Sequence, residues 1–276
     1  MAQKIQLPNS RIIHIPNFDV AVEQRDNELS FSYQGVSNDV LGERYLLCQT
    51  IFDFERSAVL LGDGFQMLAQ TTGTFSHPED VGRCPDNSTT YRIYPPCDPK
   101  RYYNYLVIES SMGYSLFGFT SCQRFAGYFE IKQKDERIWI NAYLDGENTH
   151  PQDWSTNSFE SIVFLQGASL SHLFDEYCRC IESHHPRRNG VTQNAPVGWC
   201  SWYAYYDQVN EQNILDNLAL MQTELTALDY VLIDDGYQAF MGDWLTPSDK
   251  FPSGVKAVIQ TILDSGKKPA IWLAPF

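Results

Sequence analysis

From Arg11 to about Gln166, apolar and β-branched residues come in short runs. These are Ile12–Ile15, Leu29–Tyr33, Tyr45–Phe54, Ala58–Leu61, Tyr105–Ile108, Leu116–Phe119, Phe125–Ile131, Ile138–Leu144 and Ser161–Leu165. Turn-rich clusters at 34–39 and 145–148 separate them, and Lys132–Glu136 reads as a charged hairpin tip. Many short strands with regular turns and no helical period predict an N-terminal all-β sandwich over 1–168. The longest irregular piece, Thr71–Lys100, carries Pro95-Pro96 and is expected to be a surface loop.

At Ser169 the period changes. Leu170, Leu173, Phe174, Tyr177 and Ile181 follow helical spacing on one face. The polar run from His184 to Gly190 then breaks the pattern, so 169–195 is expected to be a linker helix and loop. After Pro196 a third pattern begins, with strands predicted at Val197–Tyr203, Tyr230–Ile233 and Pro269–Ala274. Ile214, Leu218, Met221 and Leu225 line a helix that starts near Asn210. Val255, Val258, Ile259, Ile262 and Leu263 line another, capped by Ser253 and ended by Gly266. Strand–helix–strand–helix–strand in units of roughly 30 to 40 residues implies parallel pairing with right-handed crossovers. Such a stretch is about a third of the ~250 residues of a (β/α)8 barrel, so 196–276 is expected to be the start of a truncated barrel.

Composition narrows the function. The 276 residues are 43% hydrophobic and 14% aromatic, ample for packed cores. A net charge of −14 excludes the basic stripes that nucleic acid or an anionic membrane surface needs, and no run is long enough to span a bilayer. The opening MAQKIQLPNSRIIHIPNF has neither a long apolar run nor a small-residue cleavage site, which predicts a cytoplasmic protein. The 7 cysteines are scattered without a CxxC pair and read as reduced thiols. Cys84 and Cys97 flank a proline-rich loop, and Asn87-Ser88-Thr89 reads as a chance sequon in the absence of a signal. Cys178 and Cys180 point to different sides of their helix, and His184-His185 in a polar linker reads as solvated, not metal-binding.

The stretch YVLIDDGYQAFMGDW, Tyr230 to Trp244, stands out. An apolar strand seldom ends in two adjacent charges, because an unpaired buried carboxylate is costly. A helix N-cap accounts for one acid, not for both, so Asp234 and Asp235 are read as functional. Aromatic residues gather where the neighbouring strands hand over to loops: Trp199, Trp202, Tyr203, Tyr205 and Tyr206 after the first, Trp272 after the third. Each tryptophan taken alone fits core packing better than ligand contact, and Asp243-Trp244 fits turn chemistry as well as a site. Together, indole faces for the C–H side of a sugar and carboxylates for vicinal hydroxyls describe a carbohydrate pocket. A catalytic carboxylate pair must flank the bond, ~5 Å apart for retention or ~6.5–9.5 Å for inversion, which adjacent residues do not achieve. A clamp on two hydroxyls is the better role. Gly62-Asp63-Gly64 is a weak GxG that fits a hairpin turn better than a phosphate cradle.

GWCSWYAYYD (Gly198–Asp207), IDDGYQ (Ile233–Gln238), GDW (Gly242–Trp244), KFPSG (Lys250–Gly254) and IWLAPF (Ile271–Phe276) occur in this order. Together they resemble the melibiase-type α-galactosidases of glycoside hydrolase family 36, which include raffinose-synthase-like members. The resemblance implies retaining hydrolysis of terminal α-galactosides without metal or cofactor. It also implies that Asp234 and Asp235 bind the galactose 4- and 6-hydroxyls, with Trp202 and Trp272 walling the pocket. The family's nucleophile and acid/base follow its fourth and sixth barrel strands, so no catalytic residue is expected in this chain. Tyr237 departs from the tryptophan common after DDG, and Ala274-Pro275-Phe276 from the family's glutamate-containing ending. Two other readings stand beside it: a galactosyl-transferring enzyme and a non-catalytic carbohydrate-binding module. Self-association into a homo-oligomer is an expectation from the family.

Overall fold

The computed structural model describes residues 3–8, 11–17, 19–35, 40–52, 55–64, 69–81, 99–134, 137–188 and 195–275. Cys84, Cys97, the 87–89 sequon and the tip at 135–136 lie outside these. The chain divides into two compact units, Met1–Arg188 and Asn189–Phe276.

In the first unit the described strands are β1 (Gln3–Gln6), β2 (Ile12–Ile15), β3 (Val20–Arg25), β4 (Glu28–Tyr33), β5 (Arg44–Phe52), β6 (Val59–Asp63) and β7 (Gln70–Thr74). They continue with β8 (Pro78–Val81), β9 (Arg101–Ser110), β10 (Gly113–Phe119), β11 (Gly127–Lys134), β12 (Arg137–Asp145) and β13 (Ile162–Gly167). The expected sandwich of two sheets is instead one curled sheet, ordered β1-β2-β5-β12-β11-β9-β10-β13-β4-β3, with β6, β7 and β8 branching from β9. The reason lies in β9. One edge pairs with β11 over Arg101–Tyr103 and with β10 over Tyr105–Ser110; the other pairs with β6 from Tyr103 to Glu109. The ladder therefore passes from one layer to the next without leaving an open edge there. Strands far apart in this order share one core: Ile13 and Ile15 of β2, Leu29 and Phe31 of β4, Phe117 of β10 and Phe129 of β11 belong to one buried cluster.

Helix α1 (Leu170–His184) covers the opposite face of β9, β10 and β13. Alternation along these strands sends Leu106, Phe117, Ile162 and Phe164 inward and Val107, Leu116, Val163 and Leu165 toward the helix. With both faces covered, their sequences read as nearly continuous apolar runs. Ser169 caps α1, and Leu173 and Tyr177 are its buried residues; burying a leucine of this kind stabilises by roughly 2 kcal/mol. The helix packs on the sheet and belongs to the first unit. His184 and His185, expected to be solvated, are tied down. His184 Nε2 lies 2.9 Å from Glu28 Oε1, and His185 Nε2 accepts the Cys122 N–H at 3.2 Å. Neighbouring Glu160 is buried and accepts from Ser121 Oγ (2.6 Å) and from the backbone N–H groups of Gln123, Arg124 and Phe125 (3.0, 2.7 and 2.8 Å), fixing the turn before β11.

Other expectations shift locally. The Thr71–Lys100 stretch begins as the β7–β8 hairpin, because threonine-rich 71–74 forms a strand and turns at Thr74–His77. Gly62 and Asp63 lie inside β6, not in a turn, at a register shift against β9. Strands β1 and β3 were not anticipated; three of the four β1 residues are exposed, so no apolar run marks it.

The second unit is a parallel sheet ordered β14 (Gly198–Cys200), β15 (Tyr230–Ile233), β16 (Lys268–Ile271). Short helix α2 (Trp202–Tyr205) follows β14, α3 (Glu211–Thr223) crosses to β15, and α4 (Val255–Asp264) crosses to β16. Val231 and Ile233 pack against Ile214, Leu218 and Met221 of α3 and Val258 and Ile262 of α4. Asn210 caps α3 in a capping box with Asn213. Helix α4 starts at Gly254, whose φ of 78° suits glycine; Ser253 instead donates its N–H to Glu211 Oε2 at 2.9 Å, which corrects the expected cap. Gly266 ends the helix in the left-handed conformation, as read from the sequence. The strand expected at Val197–Tyr203 is only Gly198–Cys200. It lies at the edge of this sheet with partial burial, and Val197 and Tyr203 are exposed.

Candidate functional site

The three parallel strands end in register. Cys200 lies opposite Leu232, and Ile233 opposite Ile271, so Ser201, Asp234 and Trp272 follow at neighbouring positions. The Trp272 N–H donates to the Ile233 carbonyl at 2.9 Å, carrying the ladder one residue past β16. Asp234 and Asp235 therefore leave the middle strand between two others, both half-buried.

The first strand braces Asp234. Its N–H donates to Ser201 Oγ at 2.9 Å, and its Oδ2 accepts from Cys200 Sγ at 3.3 Å. Its Oδ1 accepts the Asp235 N–H at 2.8 Å. Burial, and then the bond to Asp234, push the Cys200 thiol pKa up, which keeps Sγ protonated as a donor. Asp235 is held from its own loop: Gln238 Nε2 donates to Oδ1 at 2.6 Å, while Gln238 Oε1 accepts the Gly236 N–H at 3.2 Å. Gly236 is required here. Its φ is 105°, and a Cβ would lie 2.5 Å from the Asp207 carbonyl oxygen.

Aromatic residues divide between packing and wall. Trp199 packs against the second core with Tyr205, ring centroids 6.3 Å apart, which is the core role each tryptophan taken alone suggested. Trp202, on the first turn of α2, meets Tyr206 edge-on at 5.3 Å. Trp244 and Trp272 cross at 80° with centroids 5.8 Å apart. Beneath them buried Tyr237 donates its hydroxyl to the Trp272 carbonyl at 3.3 Å. Burial, followed by the Asp235 charge, raises the Tyr237 pKa. Asp243 is exposed in a turn closed by its own backbone, Asp243 N–H to Phe240 O and Thr246 N–H to Asp243 O, both 3.0 Å. The Lys250–Gly254 stretch is a brace: Phe251 is buried in the core and the Lys250 ammonium donates to the Asp207 carbonyl. Among the described residues no three His, Cys, Asp or Glu side chains converge as a metal site.

The structure adds three residues that the sequence reading passed over as contributors: Cys200, Ser201 and Gln238. All sit inside motifs already noted, and a small polar pair at one strand end beside a carboxylate pair at the next was the available signal. On the first unit, an open cavity of about 630 Å³ is lined by Gln49, Asn141, Lys132 and Trp139 among others.

The family described as raffinose synthase or seed imbibition protein Sip1 matches residues 184–251, the segment that contains the carboxylate pair. A bifunctional α-galactosidase/sucrose kinase of Mediterraneibacter gnavus is 30% identical over 123 residues, 42% of this chain and 13% of that one. The chain resembles the N-terminal part of a family 36 α-galactosidase. Its likeness extends to a probable galactinol–sucrose galactosyltransferase of Arabidopsis thaliana, 23% identical over 160 residues, 52% of this chain and 20% of the relative. In fold, this family 36-like chain superposes on a family 36 α-galactosidase of Geobacillus stearothermophilus with a TM-score of 0.55 at 13% identity, covering 96% of this chain and 38% of that one. Variants of that enzyme have been solved with raffinose and with stachyose. The chain thus spans well under half the length of the relatives it matches.

Proposed function

We propose that the ends of β14, β15 and β16 hold the terminal sugar of an α-galactoside in a retaining glycoside hydrolase. In this reading 1–168 is a β domain, 169–195 joins it onward, and 196–276 opens a (β/α)8 barrel. Asp234 and Asp235 accept sugar hydroxyls, Trp202 and Trp272 wall the pocket, and Trp199, Asp243 and Trp244 support its rim. The observation that carries the reading is the carboxylate pair itself. Two acids are held half-buried at the mouth of a parallel sheet by Cys200, Ser201 and Gln238, with no cation bonded to either among the described residues. Carboxylates arranged in this way await hydroxyl donors. In this reading the nucleophile and acid/base follow later barrel strands than β16, as the family resemblance implies, so this chain alone is expected to be inactive. An aryl α-galactoside assay of this chain beside a longer parent tests that; turnover by the 276-residue chain refutes it.

Galactosyl transfer is a second reading, favoured by the match to the raffinose synthase family and the galactosyltransferase relative. Product analysis of the longer parent with a sugar acceptor separates the two. A carbohydrate-binding role for the β unit is favoured by the cavity at Gln49, Asn141 and Trp139. Galactose binding that survives Asp235→Ala unchanged moves the site there.

A further inference from the structure

The two carboxylates at the end of β15 are not held alike. Each Asp234 oxygen already accepts from this chain, Oδ1 from the Asp235 N–H and Oδ2 from the Cys200 thiol. For Asp235 the described residues supply a donor to Oδ1 alone, from Gln238 at 2.6 Å. Gln238 is 8% exposed, and its other end is fixed by the Gly236 N–H. Its amide therefore has a single orientation: the carbonyl oxygen must face the Gly236 N–H, so the NH2 must face the carboxylate. Gly236 in turn lies so close to the Asp207 backbone that a Cβ would clash with it, so the amide is mounted on a turn with no room for a side chain at 236.

We propose that Gln238 is the positioning residue of this site, holding Asp235 through Oδ1 so that Oδ2 remains for a ligand hydroxyl. This rests on the reading that Asp235 takes a sugar hydroxyl, and it deepens that reading. Without the amide, the Asp235 side chain is free to rotate about its Cβ–Cγ bond, and a hydroxyl must first order it, at a cost in affinity. An ionised carboxylate in place of the amide lacks a donor and repels Asp235. One proton shared between two such carboxylates restores the donor and leaves one charge.

The test is galactose titration of the 276-residue chain by ligand-observed NMR, with thermal unfolding as the check on folding. Gln238→Leu is expected to weaken binding about tenfold, equivalent to ~1.4 kcal/mol, with the second unit still folded. Gln238→Glu is expected to bind weakly near pH 7 and to recover as pH falls toward about 5, a pH profile that a packing role would not produce. Should Gln238→Leu fail to fold, the pH profile of Gln238→Glu decides. Loss of binding in Asp235→Ala, together with wild-type binding in Gln238→Leu or a flat profile in Gln238→Glu, overturns this inference alone. Unchanged binding in Asp235→Ala, or no binding by the wild-type chain, overturns the sugar-clamp reading and this inference with it.

Discussion

Replacing Gly236 by alanine tests whether the turn after the carboxylate pair is as tightly specified as its surroundings indicate. Two costs apply. The first is conformational: a φ of 105° is one that a residue with a Cβ adopts at roughly 1–2 kcal/mol. The second is steric: the new Cβ would stand 2.5 Å from the Asp207 carbonyl oxygen, 2.7 Å from its Cα and 2.8 Å from its carbonyl carbon. All three are backbone atoms, so no side chain can rotate away, and overpacking of this kind costs typically about 1–3 kcal/mol. The sum is about 2–5 kcal/mol. Gly242 supplies the control, because its φ of 96° is similar and nothing lies within 4 Å of its Cβ position. Gly242→Ala should therefore show the conformational cost alone. Urea unfolding of both variants, followed by tryptophan fluorescence of the second unit, measures the difference. Galactose titration should show Gly236→Ala weakened far more than Gly242→Ala, since relief of the clash displaces either Asp207 or Asp235. Equal destabilisation of the two variants would refute the steric argument and leave only the backbone one.

Glu160→Ala strands a buried hydroxyl and three backbone N–H groups, so the first unit should lose on the order of 3–5 kcal/mol in urea unfolding followed by circular dichroism. Asn210→Ala removes the side-chain acceptor of the Asn213 N–H, leaving only the Asn210 N–H to Asn213 Oδ1 half of the capping box, and should cost about 1 kcal/mol, seen as a lower unfolding midpoint for the second unit. Burial, reinforced by the Asp63 carboxylate, pushes Tyr105 up to about 12. Because the folded value lies above the unfolded one near 10, its contribution is complete below about pH 10 and is lost as pH rises toward 12. Thermal melts of the first unit between these limits should fall with pH, and Tyr105→Phe should reduce that fall, with Tyr45, Tyr102, Tyr128 and Tyr177, also raised, supplying the remainder.

The order of elements was legible because the periods differ so plainly. Alternation up to Gln166, a helical stripe from Leu170 to Ile181 and the strand–helix repeat after Pro196 each follow from which faces are buried. What the pattern could not convey was pairing. Whether thirteen strands make two sheets or one depends on β9 bonding along both edges, and hydrogen-bond partners leave no mark on hydropathy. Strand β1 was missed because it lies exposed at the sheet's end, and β14 was overextended because the aromatic residues after Cys200 belong to α2. In the site, Asp234 and Asp235 were legible as charges at the end of an apolar strand. Gln238 was not, since an amide three residues after a carboxylate acquires meaning only when the turn at Gly236 brings it back.

The bracing of Asp234 bears on how the second unit assembles. Its partners Ser201 and Cys200 lie 33 and 34 residues earlier, with all of α3 between. This bracing therefore does not exist in any locally folded segment; it appears only when the crossover has closed and β14 has docked beside β15. Closing such a separation is a slow, long-range event compared with forming α3. If the proposed sugar site is right, sugar binding should thus arrive late in refolding, after helical signal has returned. A bound sugar would, by mass action, hold that crossover shut.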